Sequence, residues 1–274
     1  YGCMRFPMIP NPSGEGQIVD QEAVNTLVDY ALEHGVNYFD TAPVYLQGQS
    51  EAAVGKALSR HPRDKYFIAT KLSNQRNSDR EYSLNLYRNS FKYLQVDYID
   101  YLLMHSLGGD GIAKFEERFI NNGMLEFLEK EREAGRIRHL GWSFHGDVEV
   151  FDHLLKMHDE GTSHWDFVQI QHNYIDWKLA SGRNVPSEYL YTELAKRNIP
   201  VIIMEPLLGG RLSNLPDHVL ARLKQREPEK SAASWAFRYA GTMPMVLTAL
   251  SGMTYMEHLQ DNLRTYHNFK PLSE

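Results

Sequence analysis

Asp40 and Tyr45 stand five positions apart in the stretch Gly35-Val36-Asn37-Tyr38-Phe39-Asp40-Thr41-Ala42-Pro43-Val44-Tyr45, and Lys71 and His105 follow downstream. Together these four side-chain types could build a proton donor. A Tyr hydroxyl titrates near ~10 and is a poor acid at neutral pH. A neighbouring ammonium stabilises the phenolate and lowers that value, each unit being worth about 1.4 kcal/mol. Lys71 could supply the charge, Asp40 could hold Lys71 charged and in position, and His105 could donate a hydrogen bond to a substrate oxygen. Taken one at a time, each has a plain structural alternative: a solvated strand-end Asp or Lys, a packing Tyr, a satisfied core His. Only an architecture that brings several strand ends together makes chemistry the better reading.

The residue pattern predicts that architecture. Short runs with strand character fall at 1–6, 37–40, 65–71, 98–104, 137–143, 167–171, 200–204 and 246–250. Segments with helical spacing separate them at 20–34, 50–58, 80–94, 124–134, 148–158, 188–197, 217–225, 231–239 and 256–266. Ser50 is placed to cap the second of these helices. Strict alternation implies a parallel sheet. Eight units with no Pro/Gly/Ser linker predict one domain over 1–274, an α/β fold of the (β/α)8 TIM-barrel type. The doubly wound rival lacks its Gly-x-Gly-x-x-Gly turn. In a barrel the C-terminal strand ends share one mouth. That rim would carry Asp40 with Tyr45, Lys71, His105, Ser143 with His145, Gln169 with Gln171 and His172, Glu205, and Ser251 with Gly252.

At 274 residues, with 42% hydrophobic and 23% charged residues, the chain can bury a large core. Its net charge of −6 offers no basic footprint, so nucleic acid and anionic membrane are not expected partners. A single cysteine, Cys3, rules out an internal disulfide framework and suits a reducing compartment, hence a cytoplasmic place. No apolar run is long enough to span a bilayer, and no signal peptide is visible. The chain begins with Tyr1, which reads as a fragment of a longer protein.

Over essentially its whole length the sequence resembles the aldo-keto reductases. The matching motifs are Asn37-Tyr38-Phe39-Asp40-Thr41-Ala42 with Tyr45, Ala69-Thr70-Lys71, Leu103-Met104-His105, the run from Arg136-Ile137-Arg138 to Ser143, and the stretch from Leu259 to Leu263. The resemblance implies a catalytic tetrad of Asp40, Tyr45, Lys71 and His105, with Tyr45 as general acid. It implies NADP(H) lying across the mouth, passing the pro-R hydride of C4 to a carbonyl carbon of a small-molecule aldehyde or ketone. Cofactor contacts would come from Ser143, Gln169, Pro206, Leu207, Gly252, Asp261 and Asn262. Three positions depart from the family pattern. Phe144 stands where many members have Asn, Met204 where many have a ring-stacking aromatic, and His258 where an Arg is expected. The last leaves NAD(H) open beside NADP(H), because an Arg fork suits a 2′-phosphate better. Trp142, Phe144, His145, Tyr174 and Trp177 are candidates for the apolar walls.

The segments His105-Ser106-Leu107-Gly108-Gly109-Asp110-Gly111, Gly141-Trp142-Ser143-Phe144-His145-Gly146 and Met204-Glu205-Pro206-Leu207-Leu208-Gly209-Gly210-Arg211 are similar to a bacterial subgroup of the family. Its members often continue into a ferredoxin-type cysteine segment, which would place a [4Fe–4S] cluster beyond Glu274. Two other readings stay open on the sequence. His105, His145 and His172 at the ends of strands four to six could be metal ligands of a barrel hydrolase. A barrel that binds nucleotide and serves as a sensor or partner with little turnover would carry the same motifs.

Overall fold

The computed structural model describes residues 1–272 apart from 181, 183 and 268; residues 273 and 274, part of the predicted single domain, lie outside the described residues. An antiparallel pair comes first, β1 (Met8–Pro10) and β2 (Gln17–Val19), which the residue pattern did not announce. Helices and strands then alternate as α1 (Gln21–Glu33), β3 (Tyr38–Asp40), α2 (Ser50–Leu58), β4 (Phe67–Leu72), α3 (Arg80–Leu94), β5 (Ile99–Leu107), α4 (Gly111–Phe115), α5 (Met124–Glu133), β6 (Ile137–Phe144), α6 (Val148–Asp159), β7 (Phe167–Gln171), α7 (Asp176–Leu179), α8 (Ser187–Lys196), β8 (Val201–Met204), α9 (Asp217–Arg226), α10 (Ala232–Thr242), β9 (Val246–Ala249) and α11 (Met256–Tyr266). Among the described residues β3 to β9 form one seven-stranded parallel sheet in sequential order, curled on itself. Side-chain caps open α1 and α3: Asp20 accepts from the Ala23 amide at 3.0 Å and Asp79 from the Tyr82 amide at 2.9 Å.

The predicted first strand over 1–6 is the main departure. Gly2 makes one parallel bridge to Asp40. Its amide donates to the Ser251 carbonyl at 2.8 Å, and the Asp40 amide donates to the Tyr1 carbonyl at 2.8 Å. Tyr1 and Gly2 therefore stand between β3 and the end of β9, the two edges of the sheet. The chain then leaves the ladder for a 3-10 turn, Cys3–Arg5. Its cause is visible: the Ser50 hydroxyl takes the Cys3 carbonyl at 2.8 Å, so that carbonyl no longer serves a strand neighbour. Among the described residues, the eight regular strands of the prediction are thus the seven of the parallel sheet and one isolated bridge at Gly2. The same bond corrects the predicted cap. Ser50 is the first residue of α2, Gln49 takes the cap position, and the Ser50 oxygen also lies 2.8 Å from the Thr41 hydroxyl.

Side chains of a strand alternate between its faces, and that period decides where the chemistry goes. Outward residues such as Phe39, Ile68, Met104, Trp142, Val168 and Ile203 are buried beneath the helices. Inward residues Tyr38, Ala69, Leu103, Phe167, Ile202 and Leu250 pack on one another as an inner layer. Gly141 is bare because a Cβ there would come 2.2 Å from the Phe167 carbonyl oxygen. One period further along the same strands, the inward positions become Asp40, Lys71, His105, Ser143, Gln169 and Met204. Apolar packing below and, Met204 apart, polar groups above are the same face of the same strands.

Candidate active site

Lys71 is the centre of the polar layer. It is 1% exposed, and its Nζ donates to Asp40 Oδ1 at 2.6 Å and to the Thr41 carbonyl at 2.7 Å. Nζ also lies 4.8 Å from the centroid of the Tyr45 ring. The edge of His105 meets Tyr45 with ring centroids 6.0 Å apart and planes at 80°. The structure thus brings the four predicted residues Asp40, Tyr45, Lys71 and His105 into one cluster across β3, β4, β5 and the loop after β3.

Burial would strip Lys71 of its proton, but Asp40 and Tyr45 more than offset this and hold its pKa above the ordinary value. For Tyr45 the balance runs against the expectation drawn from its neighbours alone. Burial raises the phenol above its ordinary value, Lys71 pulls it back only in part, and Asp40 adds to the rise. The lysine charge acts on Tyr45 at a discount because Asp40 sits against the same ammonium. Tyr45 therefore keeps its proton through neutral pH. His105 is driven well below its ordinary value by burial, then by Lys71, Arg118 and His145, so its imidazole is neutral.

Sequence reasoning missed the residues that hold His105. Ser73 Oγ lies 2.6 Å from His105 Nδ1. The His105 carbonyl accepts from Gln75 at 3.1 Å and from the buried Arg118 guanidinium at 2.6 Å. Arg118 also donates to the Ser106 carbonyl at 3.2 Å and to Asn74 at 3.1 Å. Ser73 was within reach of the sequence, since it is one strand period beyond Lys71. Arg118 was not: it comes from a π-type turn, Glu116–Ile120, after α4. The backbone beside the cluster is strained. Leu46 and Gln47 after Tyr45, and Ser106 after His105, have φ of 51°, 57° and 53°. Such left-handed non-glycine residues cost roughly 1–2 kcal/mol each and collect at functional sites.

The predicted cofactor residues fall into two groups. Pro206, Leu207, Gly252, Asp261 and Asn262 line one groove of about 620 Å³ at the ends of β8 and β9. Ser143 and Gln169 are not among its lining residues; they point inward from β6 and β7. Ser143 Oγ accepts the Ser106 amide at 2.8 Å, and among the described residues Gln169 Oε1 is buried without a hydrogen-bond partner. Asn262 donates to Ser251 Oγ at 2.9 Å, and Asp261 accepts from Ser231 at 2.5 Å. Trp142 and Phe144 do not line an apolar wall as expected. Strand alternation turns both outward, where they pack edge-on with Phe151 at 5.4 and 5.1 Å. A larger cavity of about 940 Å³, lined by Tyr38, Phe237, Leu259 and Tyr266 among others, touches only Asn262 of the candidate residues.

The metal reading loses its geometry. Among the described residues no three His, Cys, Asp or Glu side chains converge as a metal-ligand set. His145 Nδ1 lies 3.1 Å from Asn184 Oδ1, and His172 Nδ1 lies 2.9 Å from Ser187 Oγ. His172 stacks on Tyr239 at 5.3 Å, and burial pushes its pKa down to about 4. This makes His172 a pH-dependent structural residue. It is neutral in the folded chain and protonates more readily when unfolded. Stability is therefore intact above the ordinary value of 6.5 and falls as pH drops from there towards about 4. The loss is on the order of 3 kcal/mol. Urea unfolding at a series of pH values should show this slope in the wild type and a flatter one in His172→Asn.

Comparison with known proteins agrees with the architecture. The Aldo/keto reductase family model matches residues 8–274. An oxidoreductase of Bacillus subtilis is 24% identical over 269 residues, 87% of this chain and 80% of that protein. L-galactose dehydrogenase of Arabidopsis thaliana is 24% identical over 277 residues, 94% and 82%. Among solved structures, an aldo-keto reductase of Bacillus halodurans in its holo form superposes with a TM-score of 0.74 at 22% identity, covering 100% of this chain and 87% of that one. An aldo-keto reductase from Klebsiella pneumoniae in complex with NADPH gives 0.73 at 21%, covering 99% and 85%. With its family model spanning the chain from β1 onward and its fold shared with these structures, the chain belongs to the aldo/keto reductase family of NAD(P)-dependent oxidoreductases.

Proposed function

We propose that this chain is an NADP(H)-dependent carbonyl reductase acting on a small-molecule aldehyde or ketone, with Tyr45 as general acid, and that residues 1–274 form one (β/α)8 domain in which Tyr1 and Gly2 take the place of the remaining strand. The observation that carries the reading is the Asp40–Lys71–Tyr45–His105 cluster: a buried ammonium fixed by a carboxylate at 2.6 Å, beneath a phenol that keeps its proton and beside a neutral imidazole.

The residues present fit a nicotinamide. The orphaned Gln169 Oε1 is a buried acceptor. The Ser143 oxygen, already accepting from Ser106, still has its own proton to donate. One acceptor and one donor complement a carboxamide. Pro206, Leu207, Gly252, Asp261 and Asn262 would hold the rest of the molecule along the groove. The Klebsiella relative of like fold was solved with NADPH, which favours the phosphorylated form. Bound there, the dinucleotide would supply a hydride to the carbonyl carbon.

The chain's own part is the proton. A carbonyl oxygen gains negative charge as its carbon is reduced. Tyr45 donates its proton to that oxygen, and His105 offers the oxygen a hydrogen bond. The neutral imidazole acts as donor when the Ser73 hydroxyl donates a hydrogen bond to Nδ1, which leaves the ring's single N–H on Nε2. Lys71 stabilises the phenolate that Tyr45 becomes, and Asp40 keeps Lys71 charged and aimed. The test is a fluorescence titration with NADPH and with NADH, followed by turnover assays with simple aldehydes. Saturable NADPH binding with reduction of an aldehyde is expected. Binding of neither dinucleotide would sink the proposal, and binding without turnover would favour a sensor or partner role.

A further inference from the structure

β5 does not run evenly past its neighbour. It pairs Met104 with Trp142 and Leu107 with Phe144, so His105 and Ser106 together stand opposite Ser143 alone. Two residues opposite one make a β-bulge, a device that re-aims a side chain and is rare between parallel strands. Ser106 completes it in the left-handed region, with φ of 53°. Its amide is taken by Ser143 Oγ at 2.8 Å, and the ladder resumes where the His145 amide donates to the Leu107 carbonyl at 2.8 Å. Both carbonyls of the bulge, those of His105 and Ser106, accept from the Arg118 guanidinium, at 2.6 and 3.2 Å.

Arg118 also holds a second segment. Its Nε donates to Asn74 Oδ1 at 3.1 Å, and Asn74 Nδ2 donates back to the Arg118 carbonyl at 3.0 Å. Asn74 lies between Ser73, which bonds the His105 ring, and Gln75, which bonds the His105 carbonyl. One planar group therefore ties the bulge that carries His105 to the loop that supplies its ring partner. The arrangement is costly. Arg118 is 3% exposed, and among the described residues it pairs with no carboxylate; Glu117 is taken by Lys114 at 2.9 Å and by Ser78. Burial brings the guanidinium down to about 10, so it stays charged at neutral pH. A buried cation without a counter-ion is poor packing material, and an apolar side chain would fill the space at less cost. What arginine adds is a rigid plane of donors able to meet several fixed acceptors at once. It is carried on a π-type turn, in which the Asn121 amide donates to the Glu116 carbonyl at 2.7 Å, and such turns are frequent at functional sites.

We propose that Arg118 is a positioning residue for carbonyl reduction: it locks the His105–Ser106 bulge and the Ser73 loop together, so that the imidazole is held where it can donate to the substrate oxygen. This rests on the carbonyl-reductase reading above. Arg118 touches neither substrate nor dinucleotide in this role and acts through His105. A misplacement of about 1 Å in a group that must meet a reacting atom can cost roughly a hundredfold in rate. Lysine keeps the charge but not the fork, and it cannot serve two carbonyls and an amide oxygen in the same plane.

The experiment is a double-mutant cycle on single-turnover aldehyde reduction by NADPH, with dinucleotide affinity measured by fluorescence and folding by thermal unfolding. Arg118→Met and Arg118→Lys should each lower the rate by about 10- to 100-fold while dinucleotide affinity stays within about threefold of wild type. In a His105→Asn background the same substitutions should cost less than about twofold more, because the group they position is already gone. If Arg118→Met does not fold, Arg118→Lys carries the test. Folded variants that reduce an aldehyde at the wild-type rate overturn the assignment and leave the oxidoreductase reading standing. So does a loss of the same size with and without His105, which would make Arg118 a residue of general structure. Wild type that binds dinucleotide but reduces no aldehyde overturns both.

Discussion

Tyr45→Phe should lower carbonyl reduction by about a thousandfold, within the range ascribed to a single general acid, while changing dinucleotide affinity little. The substitution removes one oxygen and keeps the ring, so the edge contact with His105 and the cation contact with Lys71 survive. What is lost is the proton donor. Because burial holds the Tyr45 pKa above its ordinary value, the wild-type acid stays loaded across neutral pH and its activity should fall only on the alkaline side. Single-turnover reduction, with dinucleotide affinity measured separately by fluorescence, gives both readouts. A Tyr45→Phe enzyme that reduces an aldehyde at a tenth of the wild-type rate or better would mean the proton comes from elsewhere, and Tyr45 would then be only a packing residue.

Lys71→Met should abolish turnover to a similar degree and also destabilise the fold. The ammonium is buried against Asp40 Oδ1, and the other carboxylate oxygen, Oδ2, has no hydrogen-bond partner among the described residues. Removing one member of a buried ion pair leaves the other desolvated and uncompensated, at a cost of about 3–5 kcal/mol. The catalytic and structural effects are separable. Adding Asp40→Asn to Lys71→Met removes the stranded carboxylate charge and should return much of the stability without restoring turnover. Urea unfolding of the two single variants and the double variant measures the coupling between the residues. If the double variant recovered turnover along with stability, Lys71 would be a structural residue, and the stabilisation of the Tyr45 phenolate would have to be sought elsewhere.

The positions of the candidate cluster were legible early, and one strand shows why. Along β5, Leu103 packs inward and His105 follows two residues later on the same face, so the period that places a core residue also places a polar one above it. The same step joins Tyr38 to Asp40 and Ala69 to Lys71. Most element boundaries came within a few residues, because long helical periodicity and short apolar runs are local signals. The failures were non-local. Residues 1–6 have strand composition, yet beyond Gly2 the chain turns away because Ser50, far off in sequence, takes the Cys3 carbonyl. Trp142 and Phe144 looked like pocket walls until the register of β6 turned them under α6.

Residue types and spacing alone thus determined the alternation of strands and helices and the polar side chains that gather at the strand ends. These follow from local periodicity and from the need to bury one face of every element. The tertiary structure decided how those side chains behave. It buried Tyr45 deeply enough that burial outweighs the pull of the Lys71 charge, with Asp40 adding to the rise. It brought Ser73, Gln75 and Arg118 around His105. Electrostatic balance and close approach depend on distances between segments far apart in the chain, and only the folded arrangement sets those distances.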